Sequence, residues 1–129
     1  PLADGSVDTV TIAFGIRNVT SMESALAEIL RVLRPGGRFL CLEFSRPVAP
    51  VRPFYEVFNR TVIPRLGAWV SRNPEAYRYL IESIRRFPDQ REMQGILETA
   101  GFVDVRWRNQ SFGIACLHEG TRPPYAGNA

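Results

Sequence analysis

The sequence predicts an α/β fold built on a parallel sheet. Three successive segments carry this prediction: an apolar stretch over residues 7–18, an amphipathic stretch over residues 20–34, and a second apolar run from Arg38 to Ser45. Short apolar runs bounded by turn residues are typical of buried strands, and apolar residues at three- and four-residue spacing are typical of a helix. The order strand, helix, strand favours a right-handed crossover between two parallel strands.

The first stretch, VDTVTIAFGIRN, has the composition of an inner strand. Asp8 is its only charge before Arg17, and most of its residues are β-branched or aromatic. We therefore expect a strand that is covered on both faces. Gly15, Arg17 and Asn18 follow where this strand should end, and ligands of open α/β sheets bind outside the carboxyl ends of the strands.

The amphipathic stretch should form a helix that connects the two strands. Thr20 and Glu23 have the spacing of a capping box, and Pro35-Gly36-Gly37 should end the helix. Its apolar stripe consists of Ala25, Leu26, Ile29, Leu30 and Leu33.

Polar residues at the ends of the two strands predict a cleft. Because parallel strands end at the same edge of a sheet, we expect Arg17, Asn18, Glu43 and Ser45 to be neighbours. Less specific roles remain open for three of them. Arg17 can pair with a surface acid, Asn18 can shape a turn, and Glu43 can cap a helix elsewhere.

Residues 46–88 differ in composition from the strand–helix–strand segment before them and should form a helical connection. Four prolines should divide it into short pieces: Pro47, Pro50, Pro53 and Pro64. Pro53 suits a helix start, and Asn73-Pro74 suits the start of a helix that ends at Phe87-Pro88. The apolar and aromatic residues either pack in the core and a lid or line an apolar pocket. They are Phe54, Tyr55, Val57, Phe58, Val62, Ile63, Leu66, Trp69, Val70, Tyr77, Leu80, Ile81 and Ile84.

The C-terminal part should contain one helix and one hairpin. Asp89 and Glu92 repeat the capping pattern, and Gly101 should end that helix. Residues 103–107 and 112–117 read as two strands joined by a turn, at the edge of the sheet.

The remaining polar groups carry weaker signals. His118, the only histidine, follows the last strand, where a structural or solvent-exposed role is more common than that of a general base. Cys41 and Cys116 lie in apolar runs without metal-ligand spacing, so we expect buried thiols and a reducing compartment. Residues 120–129 are expected to be a disordered tail.

The charge distribution suits an anionic surface. The chain of 129 residues has a net charge of +3, and all 16 basic residues are arginine. Between Arg46 and Arg91 the sequence has nine arginines and four acids. This excess fits lipid headgroups or phosphate, or else forms a solvated, salt-bridged face. No apolar run approaches the roughly 18 residues needed to cross a bilayer.

Two strings resemble the C-methyltransferases of ubiquinone and menaquinone biosynthesis: DTVTIAFGIRNVTSMESALAEILRVLRPGGRFLCLEFSRP and EAYRYLIESIRRFPDQ. LRPGG followed by a strand is shared by very many class I S-adenosylmethionine-dependent methyltransferases, whereas FGIRNV, LEFS and YRYLIESIRRFPDQ together are far more specific. The resemblance runs from about Val7 to His118. It implies the Rossmann-like class I methyltransferase sheet, with an antiparallel last strand.

The resemblance also implies a domain layout and a cofactor. Residues 1–119 would be the C-terminal part of one methyltransferase domain, with 46–88 as the helical substrate cover. We expect a C-terminal fragment that is inactive alone, since the Gly-rich loop and the acidic residue that receive S-adenosylmethionine would lie in the other half. Ala13, Phe14 and Gly15 would lie beside this cofactor. Family members often carry Ser where this chain has Ala13, and no metal is expected.

The implied reaction is C-methylation of a polyprenylated benzoquinol or naphthoquinol ring, with the tail in the apolar pocket. Arg17 would stabilise a developing phenolate or orient a water, and Asn18 would hold that water or a ring oxygen. Glu43 and Tyr79 are weaker candidates for contacts with the substrate. The alternatives are another small-molecule methyltransferase of the same fold, or a non-catalytic scaffold module.

The expected partners follow from this substrate. Besides the polyprenyl quinol we expect a membrane surface or a quinone-biosynthesis complex, keep a homodimer open, and expect no nucleic acid. The expected location is the cytoplasm, at the inner face of a bacterial membrane. Aromatic and arginine side chains of residues 46–91 would suit its headgroup zone.

Overall fold

A computed structural model describes residues 1–70 and 73–124, without the side chains of residues 62, 63 and 66–70. The helices and strands are, in order, β1 (Val7–Ala13), α1 (Met22–Val32), β2 (Leu33–Phe44), α2 (Arg52–Val70), α3 (Pro74–Arg86), α4 (Gln90–Ala100), β3 (Val103–Gln110) and β4 (Ala115–Thr121). Two 3-10 turns, Ile16–Asn18 and Ser111–Gly113, follow β1 and β3.

The strands form one sheet in the order β1-β2-β4-β3. β1 and β2 are parallel, with Val10 opposite Phe39 and Ile12 opposite Cys41. α1 is therefore the predicted connection between two parallel strands. β4 is antiparallel to both β2 and β3, which confirms the edge hairpin and the antiparallel last strand.

The hydrophobic core lies between one face of the sheet and helices α1 and α4. Phe39 and Cys41 of β2 are fully buried in one cluster with Leu26 of α1 and Leu97 of α4. Just after α4, Phe102 places its ring centroid 5.5 Å from that of Phe39. This packing fixes which face of β2 points inward, because a shift of one residue would turn every side chain over.

Within residues 1–70 and 73–124, the opposite face of the sheet is less covered. Thr9, Thr11 and Ala13 are exposed, and Leu40 and Leu42 are half-buried. The expectation that β1 is covered on both faces is therefore wrong for the described residues. α1 and α4 cover one face, and β1 has a single neighbouring strand. The composition of β1 shows that it is suited to burial, but it does not show which elements are there to bury it.

α1 begins one residue later than the sequence predicts. Ser21, not Thr20, is the N-cap, and its side-chain oxygen accepts a hydrogen bond from the Ser24 amide at 3.2 Å. Glu23 is then the second helical residue, so the predicted capping box does not form. The helix ends at Val32, before the predicted stop, because Leu33 is already extended (ψ 137°).

α2 is one helix of 19 residues that includes Pro64. The predicted break at Pro64 is therefore wrong, although Pro53 lies in the first turn as expected. An internal proline removes one backbone donor and costs about 3 kcal/mol. α2 packs against α3. Within the described ranges no helix, α2 included, is long and apolar enough to cross a membrane.

Part of the predicted apolar set lies outside the described residues. The side chains concerned are those of Val62, Ile63, Leu66, Trp69 and Val70.

The caps of α3 and α4 are confirmed. Asn73 accepts a hydrogen bond from the amide of Ala76, and Pro74 is in the first turn of α3. Asp89 and Glu92 form a complete capping box at α4. Gly101 ends that helix with φ 113°, a left-handed conformation that favours glycine.

The hairpin is displaced from its predicted position. β4 begins at Ala115, because Ser111, Phe112 and Gly113 have φ values of 50°, 59° and 89° and form a turn instead of a strand. β3 accordingly extends to Gln110.

The predicted disordered tail is ordered at its start. Gly120 and Thr121 belong to β4, opposite Phe39 and Arg38. Arg122 donates hydrogen bonds to the carbonyl oxygens of Arg31 and Leu33, at the end of α1. Residues 125–129 lie outside the described part of the chain.

Candidate functional site

A buried ion pair joins the ends of the two parallel strands. Arg17 lies in the 3-10 turn after β1, and its Nη1 is 2.7 Å from Oε1 of Glu43 in β2. The two side chains are only 8% and 2% exposed. Nη1 also donates to the carbonyl oxygen of Phe14 at 2.9 Å, and the amide of Phe44 donates to Glu43 Oε1 at 2.9 Å. The predicted proximity of Arg17 and Glu43 is confirmed, and neither is a surface group.

Two phenylalanine rings stand beside this pair. Phe14 and Phe44 have ring centroids 4.7 Å apart, and Cζ of Arg17 lies 5.5 Å from the centroid of Phe44. A guanidinium at this distance from an aromatic ring is attracted by its negative face. Phe14 has φ 54°, an uncommon value for a residue with a side chain, and such strain clusters at functional sites.

Three polar atoms at this end of the sheet are buried without a hydrogen-bond partner among the described residues. They are Nε of Arg17, Oε2 of Glu43 and Oγ of Ser45. Leaving a buried polar group unpaired costs about 1 to 3 kcal/mol, so most such groups in folded proteins are paired. At this edge of the sheet, the described residues therefore do not supply every hydrogen-bond partner that the buried polar atoms need.

Asn18, the last residue of the turn, is exposed. Its backbone amide donates to Gly15 at 3.1 Å, which closes the turn. Its side-chain amide makes no hydrogen bond within the described residues. Asn18 therefore shapes the turn through its backbone and presents its amide to solvent.

A cavity of about 560 Å³ lies between the end of β2 and helices α2 and α3. We call it the helical cavity. Its lining combines apolar side chains of α3, two tyrosines and four arginines. They are Phe44, Ser45, Arg46, Pro47, Arg52, Tyr55, Glu56, Asn59, Arg60, Tyr77, Leu80, Ile81, Ile84 and Arg85. Part of the predicted aromatic and apolar segment therefore lines a cavity and is not packed in the core.

Tyr79 does not line the helical cavity. It is exposed beside a separate depression of about 280 Å³ that Arg17, Glu82 and Arg86 also line. Tyr77 faces the helical cavity instead, because residues two apart point to different sides of a helix. The sequence placed Tyr77 in the apolar stripe of α3, and that stripe was the available signal for a cavity-lining tyrosine.

The residues assigned to the cofactor lie at the end of β1. Ala13 is exposed. The backbone amide of Phe14 donates a hydrogen bond to the carbonyl oxygen of Leu42 at 2.8 Å. Gly15 precedes the turn that carries Arg17. These residues offer an aromatic ring and backbone to a ligand, but no polar side chain for ribose hydroxyls.

Three further ionisable groups are buried in the core: Cys41, Cys116 and His118, which lies opposite Cys41 in the sheet. Burial lowers the pKa of His118, whose Nε2–H donates to the carbonyl oxygen of Gln90 at 2.9 Å. Burial raises the pKa of Cys41 to about 12 and that of Cys116 to about 11. Within the described residues no group of three or more His, Cys, Asp or Glu side chains could hold a metal.

Comparison with solved structures shows the fold. A methyltransferase from Thermotoga maritima, titled a possible histamine N-methyltransferase, superposes with a TM-score of 0.62 at 19% identity, over 95% of this chain and 59% of the other. The [4+2]-cyclase SpnF superposes with a TM-score of 0.63 at 14% identity, over 96% of this chain and 52% of the other. Chains of this fold therefore carry more than one activity.

Comparison of sequences shows the family. A ubiquinone/menaquinone biosynthesis C-methyltransferase, UbiE, from Rubrivivax gelatinosus is 66% identical over 122 residues, which cover 95% of this chain and 49% of the relative. The protein of the same name from Caulobacter vibrioides is 54% identical over 93% of this chain and 48% of the relative. The chain thus spans about half the length of these relatives. A sequence model described as the ubiE/COQ5 methyltransferase family matches residues 1–122. The chain therefore belongs to the ubiE/COQ5 methyltransferase family.

Proposed function

We propose that the enzyme methylates a ring carbon of a polyprenylated benzoquinol or naphthoquinol, with S-adenosylmethionine as the methyl donor. The 66% identity over 95% of the chain to a ubiquinone/menaquinone biosynthesis C-methyltransferase carries this proposal. The polar groups at the carboxyl edge of the parallel strands support it, because ligands of such sheets bind there.

The donor, when bound, supplies a methyl group on a positively charged sulfur. The exposed ring of Phe14 and the backbone from Ala13 to Gly15 would line its site. Since Glu43 lies 2.7 Å from Arg17, the two charges largely compensate each other. A cationic donor can then approach this edge without facing an unpaired guanidinium.

Arg17 has the chemistry to stabilise the acceptor. A quinol carbon becomes nucleophilic when its hydroxyl loses or shares its proton, and a phenolate oxygen then needs hydrogen-bond donors. Arg17 carries a guanidinium, which donates hydrogen bonds and does not act as a base. Donors aimed at a developing oxyanion contribute about 3 to 4 kcal/mol. In this proposal Glu43 positions Arg17 without touching the ring, and the free amide of Asn18 holds a ring oxygen or a water.

The helical cavity fits the acceptor. Its apolar wall of Leu80, Ile81 and Ile84 would contact the ring and the first part of the tail, and Tyr55 and Tyr77 add hydroxyl groups. A mostly apolar cavity with a few polar groups is the usual form of a small-molecule site.

A transfer assay with the full-length enzyme tests this function. Radiolabelled donor is incubated with demethylmenaquinol, with methoxy-polyprenyl-benzoquinol, and with a sterol and a simple phenol as competing acceptors. We expect label on a ring carbon of one or both quinols. Label only on a sterol or on a phenol oxygen would favour another small-molecule methyltransferase, and donor binding without transfer to any acceptor would contradict the proposal.

The proposal includes contact with the inner face of a membrane. Phe54, Val57 and Phe58 of α2 are 78%, 62% and 45% exposed, and Arg52 and Arg60 flank them. Large apolar side chains beside arginine suit the headgroup zone of an anionic bilayer.

Sedimentation with lipid vesicles tests this contact. We expect the full-length enzyme to bind vesicles containing anionic lipid at low salt, and the variant Phe54→Ser/Phe58→Ser to bind more weakly. Leu2→Ser removes another exposed apolar side chain and serves as the control. Equal binding of the two variants, or no binding at low salt, would contradict the contact.

A further inference from the structure

We propose that the hydroxyl group of Ser45 donates a hydrogen bond to an oxygen of the acceptor ring. This inference rests on the proposed function, because it assigns Ser45 to the acceptor in the helical cavity.

The burial of Ser45 without a partner is the first observation. Ser45 is 8% exposed, and its Oγ makes no hydrogen bond within the described residues. Serine hydroxyls can rotate to reach nearby acceptors, so an orphan hydroxyl in a packed region is unusual. The described residues therefore supply no acceptor for the hydrogen of this hydroxyl.

The fixed backbone of Ser45 is the second observation. Its amide donates to the carbonyl oxygen of Ile114 at 2.9 Å, which extends the pairing of β2 with the segment before β4. The neighbouring residue Phe44 is held by the hydrogen bond that its backbone amide donates to Oε1 of Glu43, and by the contact of its ring with Phe14. The backbone that carries the hydroxyl is therefore fixed at the end of β2, which favours precise contact with a ligand. Because Oγ itself is buried, the side chain would rotate about χ1 to bring it to the cavity.

The position of Ser45 is the third observation. Ser45 lies two residues after Glu43, on the same face of the extended chain, and it lines the helical cavity with Tyr55 and Tyr77. The end of β2 thus carries Glu43, which pairs with Arg17, and two residues later the unpaired hydroxyl of Ser45. Arg17 lines the neighbouring depression and not the helical cavity, but its Cζ lies 5.5 Å from the centroid of Phe44, which does line the cavity. In this proposal the acceptor ring lies beside Phe44, between Arg17 and Ser45.

The variant Ser45→Ala distinguishes a role of the hydroxyl in acceptor binding from a role in the stability of the fold. Within the described residues, Ser45→Ala breaks no hydrogen bond of the side chain and removes a buried polar group without a partner. We therefore expect its melting temperature to be unchanged or raised. With acceptor, one neutral hydrogen bond is lost, so we expect Kd and KM for the quinol to rise roughly 3- to 10-fold. Kd for S-adenosylmethionine should stay unchanged.

The experiment compares three variants of the full-length enzyme. Melting temperature is measured with and without quinol, and Kd and KM are measured for both substrates. Ser24→Ala, on the exposed side of α1, is the matched control and should change nothing. Ser45→Thr keeps a hydroxyl at this position, one residue after β2, and it should restore Kd toward the wild-type value.

The outcomes distinguish this inference from the proposed function. Wild-type enzyme that methylates quinols while Ser45→Ala keeps the wild-type Kd and KM would overturn the role of Ser45 alone. A drop in the melting temperature of Ser45→Ala without acceptor, at unchanged Kd, would show that the hydroxyl is structural. Wild-type enzyme that neither binds nor methylates quinols would overturn the proposed function and the role of Ser45 together.

Discussion

Replacing Arg17 with Ala in the full-length enzyme should lower both stability and turnover, for separable reasons. The substitution leaves the Glu43 carboxylate 98% buried, with the Phe44 amide as its only hydrogen-bond donor among the described residues. At an effective dielectric constant of about 20, charges about 4 Å apart interact by about 4 kcal/mol. Removing one partner of a buried pair typically costs about 3 to 5 kcal/mol. We expect a loss of that size in the free energy of unfolding.

Removing both charges should recover much of this loss. In Arg17→Met/Glu43→Gln no buried charge remains, and the Gln side-chain oxygen can still accept from the Phe44 amide. Chemical denaturation of the wild type, the two single variants and the double variant forms a double-mutant cycle. Arg34→Ala is the control, since Arg34 and Asp8 form an exposed pair that should contribute less than about 1 kcal/mol.

Turnover distinguishes the chemical role of Arg17 from its structural role. We expect kcat to fall about 10²- to 10³-fold in Arg17→Ala and to stay low in the double variant, while Kd for S-adenosylmethionine changes little. Recovery of kcat together with stability would mean that Arg17 only supports the fold. A stability loss in Arg17→Ala below about 0.5 kcal/mol, with additive single effects, would refute the claim that the pair is desolvated.

Four further predictions concern the framework of the site. Gly37→Ala should lower the free energy of unfolding by about 1 to 3 kcal/mol, measured by denaturation, because an added Cβ would lie 2.8 Å from the carbonyl oxygen of Arg34. His118 is neutral in the folded enzyme, so its contribution to stability should be complete above pH 6.5 and lost as the pH falls through its lowered folded-state pKa. His118→Gln should therefore flatten the fall in unfolding free energy between pH 7 and pH 5, and an unchanged slope would refute this. Cys41 and Cys116 should react with a thiol reagent only after denaturation, in contrast to a small free thiol added to the same assay. The 129 residues expressed alone should bind a hydrophobic dye and lack a sharp near-ultraviolet spectrum, because one face of the sheet is less covered within residues 1–70 and 73–124; a cooperative melt would count against this.

Local chemistry made part of the fold predictable. The caps at Asn73 and Asp89 and the stop at Gly101 depend on hydrogen bonds within four residues, so the sequence alone was sufficient. The proximity of Arg17 and Glu43 was also predictable, because parallel strands joined by a helix end at the same edge of the sheet.

Long-range packing decided the features that the sequence did not predict. The sequence did not predict that α2 continues through Pro64, or that Tyr77 rather than Tyr79 lines the helical cavity. The burial of the Arg17–Glu43 ion pair, and the lack of a partner for the Ser45 hydroxyl, depend on atoms that are distant in the chain. The sequence by itself therefore determined the family and the order of strands and helices. Only the tertiary structure decided which polar atoms at the strand ends are paired and which are left without a partner, because hydrogen bonds between residues far apart in the chain depend on distances that packing sets.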